Sequence, residues 1–219
     1  MHLTRFEINV ARRGARELLA SPHRLHAAVL AAFPPAHRDA TADGRVLWRV
    51  DQRTHQTTLY IVSPQTPDLT HLVETAGWST APGDSRPYAP LLDRLTAGDL
   101  WAFRLTANPV HSKRKSEEAT RSQRFAHVTV DQQTTWLLNR ADGHGFTIPD
   151  GTGKEPDVAV HGRRVWRFKR QGQTVTLATT TFEGRLEITD PAVFRNALTH
   201  GIGPAKGYGC GLLTIARMT

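Results

Sequence analysis

Residues 201–211 read Gly201-Ile202-Gly203-Pro204-Ala205-Lys206-Gly207-Tyr208-Gly209-Cys210-Gly211 and run straight into the apolar Leu212-Leu213-Thr214-Ile215. Five glycines in eleven residues restrict what this segment can become. Without Cβ atoms the chain can turn through positive φ and bring its N–H groups close to a neighbour, often an anion. A helical pattern from Asp190 to His200 precedes the run, with Asp190 as its cap, and a buried strand over Leu212–Ala216 follows it. The local order is therefore helix, glycine loop, strand. No Gly-Lys-Ser/Thr follows at phosphate-loop spacing, and the glycines precede a strand where a dinucleotide fingerprint would open a helix. Two readings stand at this point: a structural turn packed on a sheet, or a cradle for phosphate.

Charge favours a polyanionic partner. The 219 residues carry 28 Lys and Arg against 20 Asp and Glu, a net charge of +8 with a sequence pI near 10.4. Residues 1–95 hold 11 basic and 9 acidic side chains, whereas residues 96–219 hold 17 and 11, so the polyanion surface is expected in the second half. The basic residues are 23 Arg and 5 Lys. Arginine suits bidentate phosphate contact, although a GC-rich genome enriches it as well. The single cysteine, Cys210, excludes a disulfide framework and a cysteine-rich zinc site. No run of about eighteen apolar residues and no apolar N-terminal signal core is present, which reads as a soluble, cytoplasmic protein.

The elements recur in one order. Leu3–Val10 alternates as a strand, and Ser21-Pro22 opens a helix whose Leu25, Val29, Leu30 and Phe33 repeat at helical spacing until Pro34-Pro35. Val46–Asp51 and Thr57–Val62 form a hairpin, Asp68–Ala76 a second helix, and Gly77–Pro90 a loop-rich stretch with at most one poor strand. Leu100–Ala107 then starts the order again. His111–Arg124 is a basic irregular excursion, Phe125–Val130 is strand-like, Gln132–Ala141 helical, and Ala159–Lys169 and Thr174–Phe182 are strands around Gln171-Gly172-Gln173. Leu186–Ile188 is strand-like. Strand-helix-strand-strand-helix-strand, twice, predicts an α+β chain of tandem ferredoxin-like (RRM-like) domains, divided as residues 1–94 and 95–219.

Two constellations could carry chemistry. His23 and His26 lie three apart on one helix face, with His23 in the first turn, where the dipole favours a bound anion. Two imidazoles beside a phosphate suffice for acid–base cleavage of RNA: one takes the 2′-OH proton, another protonates or stabilises the leaving 5′-oxygen. Exposed helix histidines, or two metal ligands, would look the same, and eleven histidines make chance pairs expected. No zincin glutamate or spaced third ligand accompanies them, so no metal or cofactor is expected. The second constellation is basic: Lys113, Arg114, Lys115, Arg121 and Arg124 in the excursion, and Arg163, Arg164, Arg167, Lys169 and Arg170 in His161–Arg170, which contains no acid. Strand alternation puts Trp166 and Phe168 on one face, anchored in the core, and Arg163, Arg167 and Lys169 on the other. Such a hairpin can lie along a nucleic-acid backbone; a solvated edge strand guarded by charge is the alternative.

The glycine run continuing into Leu212-Leu213 resembles the C-terminal signature of the CasE family, the CRISPR repeat-cleaving endoribonucleases of type I-E (Cascade) systems. Met1-His2-Leu3-Thr4-Arg5 resembles that family's first strand. His23-Arg24-Leu25-His26 through Ala32-Phe33-Pro34 resembles its Tyr-x-x-His helix, and Phe103-Arg104-Leu105-Thr106-Ala107-Asn108-Pro109 the start of its second domain. The resemblance spans the chain. It implies a metal-independent cut at the 3′ base of a CRISPR repeat hairpin by 2′-OH attack, leaving a 2′,3′-cyclic phosphate and a 5′-hydroxyl. It further implies that the protein, a monomer when free, stays on the mature guide RNA beside other Cascade subunits, away from any membrane. The family's catalytic histidine maps onto His26, and histidine at position 23 stands where the family has tyrosine. Lys206 joins the RNA-binding set, with Gly201, Gly203, Gly207, Gly209 and Gly211 as the loop. A non-catalytic hairpin-binding subunit of the same fold is the second reading. A tandem single-strand RNA-binding module lacks its aromatic sheet motif here.

Overall fold

Alternation decides the first strand: β1 (His2–Ile8) buries Phe6 and Ile8 and leaves Arg5 exposed. The computed structural model describes residues 1–114 and 122–218. After β1 come α1 (Arg13–Leu19), α2 (Pro22–Ala31), β2 (Leu47–Gln52), β3 (Thr57–Ser63), α3 (Thr70–Ala76), β4 (Asp84–Pro87) and α4 (Ala89–Leu92). The strands form one antiparallel sheet in the order β2-β3-β1-β4. One face packs Phe6, Leu59 and Ile61 against Leu25 and Val29 of α2 and Leu72 of α3. Its other face brings Leu47 and Val62 into a cluster with Leu105, Leu212 and Leu213 from the second half.

Helix α2 starts where its capping residues put it. Ser21 accepts from the Arg24 N–H at 3.4 Å and Pro22 takes the first position. It ends at Ala31, ahead of Pro34.

The second half runs β5 (Leu100–Ala107), β6 (Val110–Arg114), β7 (Ser122–Ala126), α5 (Val130–Ala141), β8 (Phe146–Thr147), β9 (Val158–Arg170), β10 (Gln173–Ile188), α6 (Pro191–His200) and β11 (Leu213–Ala216). Its sheet has the order β11-β5-β10-β8, with β9 also paired to β10. Trp136 and Leu137 of α5 and Phe194 and Leu198 of α6 cover Phe103, Leu105, Phe182 and Leu186. In each sheet the first strand lies between the last and the third, which is the ferredoxin-like order and makes the fold a tandem of that unit.

Besides a two-residue β8 with no counterpart in the sequence reading and a β7 that ends at Ala126 where a strand to Val130 is expected, four details differ from the sequence expectations. Helices α1 and α4 are additional; seven and four residues are too short to display a helical period. Leu186–Ile188 is the end of a continuous sixteen-residue β10. The irregular excursion expected from His111 is, at both ends, an antiparallel ribbon in which His111 faces Phe125 and Arg114 faces Ser122. Lys115 and Arg121 lie outside the described residues.

The fourth difference is the facing of the long hairpin. Alternation predicts Trp166 and Phe168 in the core of their own half, but they lie on the opposite face of β10. Val160 pairs with the buried Phe182, whereas Arg164 pairs with Thr179, Trp166 with Leu177 and Phe168 with Val175. The register shifts between Thr179 and Thr181 because β9 carries one extra residue there, with Gly162 at φ 62°. A bulge of this kind reverses which face the following residues occupy. The two aromatics therefore turn towards α2.

Polar contacts lock the halves together. Arg49, 2% exposed, makes two hydrogen bonds to Asp51 (2.7 and 3.0 Å). It also donates to the Arg104 and Leu212 carbonyls and to Thr214 Oγ1. Arg104 bridges on from Asp51 (3.1 Å) to Glu183. Burial alone would raise the Asp51 carboxyl, but the hydrogen bond and charge of Arg49, with Arg104, hold it below its usual range.

Candidate functional site

His23 and His26 project from the first turns of α2, and both line one cavity of about 430 Å³. Spacing along a helix guarantees only the shared face; what stands opposite comes from four other places in the chain. Gly203, Lys206, Gly207 and Tyr208 enter from the glycine loop, Arg45 from just before β2, and Arg124 and Arg170 from β7 and the end of β9. Among the described residues the lining holds two imidazoles, three guanidiniums and an ammonium, with no carboxylate. A concave site with this charge attracts an anion.

The two histidines differ in environment. His23 is exposed and lies parallel to the Phe168 ring, 6.3 Å between centroids. His26 is half-buried, with the Trp48 ring at 6.5 Å and the Tyr208 ring edge-on at 6.3 Å. Trp48 donates its indole N–H to His26 Nδ1 at 3.3 Å. Burial lowers the His26 pKa from its ordinary 6.5, and the positive charges of His23, Arg45 and Arg170 lower it further. At neutral pH its imidazole is uncharged.

The glycine loop is pinned at both ends and shaped in the middle. The Ile202 N–H donates to the Gly211 carbonyl and the Gly211 N–H to the Thr106 carbonyl, while a 3-10 turn over Lys206–Tyr208 closes the centre. Gly209, at φ 77°, accepts the Trp48 ring where a Cβ would stand 2.7 Å from it. Gly201, Gly203 and Gly211 abut Leu47, Trp136 and the Ile202 carbonyl in the same way. At Gly207 a Cβ would come within 3.2 Å of His26 Nε2. Both readings of the loop thus have a share: four glycines serve packing, and Gly207 opens the space before His26.

Of the cations singled out in the sequence, Arg124, Arg170 and Lys206 converge on the cavity. Lys206 is half-buried, and burial together with Arg45 lowers its pKa. Arg163, Arg167 and Lys169 are exposed on the hairpin. Arg164 turns away, its guanidinium 3.6 Å over the Trp166 ring, to line a second cavity of about 260 Å³. Lys113 and Arg114 stand on β6. Sequence reasoning missed Arg45, Trp48 and Tyr208. Tyr208 sat inside the glycine signature, whereas no sequence pattern marks Arg45 or joins Trp48 to His26. The Arg45 Nε is buried without a hydrogen-bond partner among the described residues. Cys210 is buried, its thiol pushed up to about 12, and takes no part.

Comparison with known proteins gives a consistent picture. A family model described as "CRISPR associated protein" matches residues 1–217. The chain is 32% identical to the CRISPR-associated endoribonuclease Cse3 of Thermus thermophilus, covering 99% of this chain and 100% of that one. It is 29% identical over 120 residues to the CRISPR system Cascade subunit CasE of Escherichia coli, 52% of this chain and 56% of the relative. Among solved structures, that of CRISPR endoribonuclease Cse3 bound to a 19 nt RNA superposes with a TM-score of 0.80 at 28% identity, covering 99% and 100% of the two chains.

Proposed function

The chain belongs to the CRISPR associated protein family, and from that premise we propose that it is the endoribonuclease that processes precursor CRISPR RNA. It binds the repeat hairpin, cuts once at the 3′ base of the stem, and stays on the guide RNA as a subunit of a Cascade complex. A relative spanning the whole chain carries the endoribonuclease name, and another is a Cascade subunit. The observation that carries the reading is the cavity where His23 and His26 meet four cations and, among the described residues, no acid.

The chemistry follows from those groups. The 2′-oxygen attacks the adjacent phosphorus, the bond from phosphorus to the 5′-oxygen breaks, the 2′-OH proton leaves to a base, and a proton reaches the 5′-oxygen. The products are a 2′,3′-cyclic phosphate and a 5′-hydroxyl. His23 and His26 serve the proton and hydrogen-bond steps, while Arg45 and Lys206 face the charge that builds on the phosphate oxygens. Arg124 and Arg170 hold the flanking backbone, and the exposed Arg163, Arg167 and Lys169 extend the positive track along the stem, with Lys113 and Arg114 on the neighbouring ribbon. Such binding is governed by shape and phosphate contact, as A-form RNA requires. Product retention suits a protein that acts once per guide. We assign residues 1–94 to the domain carrying the histidines and 95–219 to the domain carrying the hairpin and loop. No described helix is long and apolar enough to cross a membrane, and the protein works in the cytoplasm, as a monomer until it meets RNA.

The test uses the repeat hairpin in EDTA. One cut is expected, ending in a cyclic phosphate, and 2′-deoxy substitution at the nucleotide before the cut should abolish cleavage while leaving binding intact. An intact hairpin, or activity lost in EDTA and restored by Mg²⁺, would overturn the assignment.

A further inference from the structure

We propose that Trp48 is a positioning residue that holds His26 in the tautomer bearing its proton on Nε2, so that His26 meets the RNA phosphate as an N–H donor. The consequence for cleavage rests on the endoribonuclease reading; the tautomer itself does not.

An indole N–H can only donate. Trp48 directs it at His26 Nδ1 from 3.3 Å, so that nitrogen must present a lone pair. A neutral imidazole has one N–H, which is then at Nε2. Nε2 faces the gap before Gly207, on the cavity side of the ring. Trp48 has little freedom to release its partner. It is 3% exposed, its six-membered ring lies against Gly209, and its strand neighbour Arg49 is tied to the second sheet. Turning the N–H elsewhere would bury it without a partner, which is unfavourable.

Protonating His26 would set a second N–H against that of Trp48. The charged groups around the ring are His23 on α2, Arg45 before β2, Arg124 on β7, Arg170 at the end of β9 and Lys206 in the loop, all of them basic, and after burial itself His23, Arg45 and Arg170 act in the same direction. Steric placement and charge both keep the imidazole neutral and donating. A ring whose Nε2 carries the proton cannot take one from the 2′-OH there. That role falls to His23, which makes no side-chain hydrogen bond among the described residues and keeps its tautomers free. The helix thus carries one fixed histidine and one adjustable one.

The deciding measurement is nitrogen NMR on the free protein labelled with ¹⁵N-histidine, the His26 signals being identified by their loss in His26→Ala. A pyridine-like Nδ1 and a pyrrole-like Nε2 are expected; the reverse pattern overturns the proposal without any RNA present. Trp48→Phe keeps a ring in place and removes the N–H. It should show mixed tautomers and a titration midpoint moved up towards 6.5. Above the midpoint cleavage should fall in proportion to the lost Nε2–H tautomer, with hairpin affinity unchanged. The defect should shrink as pH falls through the midpoint, because the imidazolium carries a proton on Nε2 in wild type and variant alike. An unaltered tautomer and midpoint, with the rate reduced equally at all pH, would reduce Trp48 to packing and overturn the proposal. If wild-type protein shows the expected tautomer and cuts no RNA, the functional reading fails while the role of Trp48 stands.

Discussion

The ring of Phe168 lies parallel to the imidazole of His23, with 3° between their planes and 6.3 Å between centroids, although the two residues belong to different halves of the fold. Phe168 also meets Tyr208 edge-on at 5.0 Å. An aromatic that strand alternation assigned to the core instead stands against His23 and Tyr208, two residues that line the cavity, and the hairpin that carries the cations is thereby docked on the helix that carries the histidines. Phe168→Ala should lower single-turnover cleavage by about tenfold, the value of one or two aromatic pairs, while the melting temperature changes little because the ring is not in the main core. Cleavage at the wild-type rate would separate the hairpin from the site.

His26→Ala should reduce single-turnover cleavage by roughly 10²–10⁴-fold with hairpin affinity preserved, since the surrounding cations remain. In the free wild-type protein the His26 titration midpoint should lie below 6.5, because burial and then His23, Arg45 and Arg170 disfavour the imidazolium. With the folded value depressed, the unfolded chain binds the extra proton first. Stability linked to His26 is therefore present above pH 6.5 and lost as pH falls through the folded midpoint. A midpoint at or above 6.5 would contradict the described surroundings.

Gly207→Ala isolates the space before His26. Its backbone is not in the left-handed region, so the fold should tolerate alanine, but the new Cβ would press on Nε2 from 3.2 Å. Cleavage should fall by about ten- to a hundredfold, in keeping with the sensitivity of reacting groups to ångström-scale displacement, and the melting temperature should hold. Unchanged cleavage would show that His26 can shift without consequence.

The exposed hairpin cations are tested by salt. Replacing Arg163, Arg167 and Lys169 together with alanine should weaken hairpin binding and flatten its dependence on log salt, by about one unit or less for each phosphate that is no longer neutralised. An identical slope in wild type and variant would mean these three face solvent in the complex.

Arg49→Ala should destabilise the protein by about 3–5 kcal/mol, because Asp51 would stay buried with its main partner gone and the Leu212 and Arg104 carbonyls would lose theirs. Denaturant unfolding measures this directly. A loss below about 1 kcal/mol would mean the halves are held by their shared apolar cluster alone.

Residue order was enough for much of this molecule. Ser21-Pro22 and Asp190-Pro191 opened helices because a short polar side chain before proline satisfies and fixes a first turn, and the repeated element order led to the tandem ferredoxin-like arrangement. The pairing of His23 with His26 and the helix–loop–strand around the glycines were local matters as well. Gly162 is the instructive failure. A glycine inside a strand pattern signals a bulge, and counting it as an ordinary residue sent Trp166 and Phe168 to the wrong face.

What depended on local periodicity and capping, the strands, the helices and the facing of two histidines on one turn, was determined by the sequence alone. Which groups stand opposite those histidines was decided only by tertiary structure. Arg45 with Trp48, Arg124, Arg170 and Lys206 come from four separate segments of the chain, and nothing in the spacing of those segments couples them. They meet because Leu47 and Arg49 tie the first sheet to the second, and because one extra residue at Gly162 turns the hairpin towards α2. Side-chain encounter across long sequence separations depends on strand register and on how two sheets pack, and both are settled by the burial of the whole chain at once.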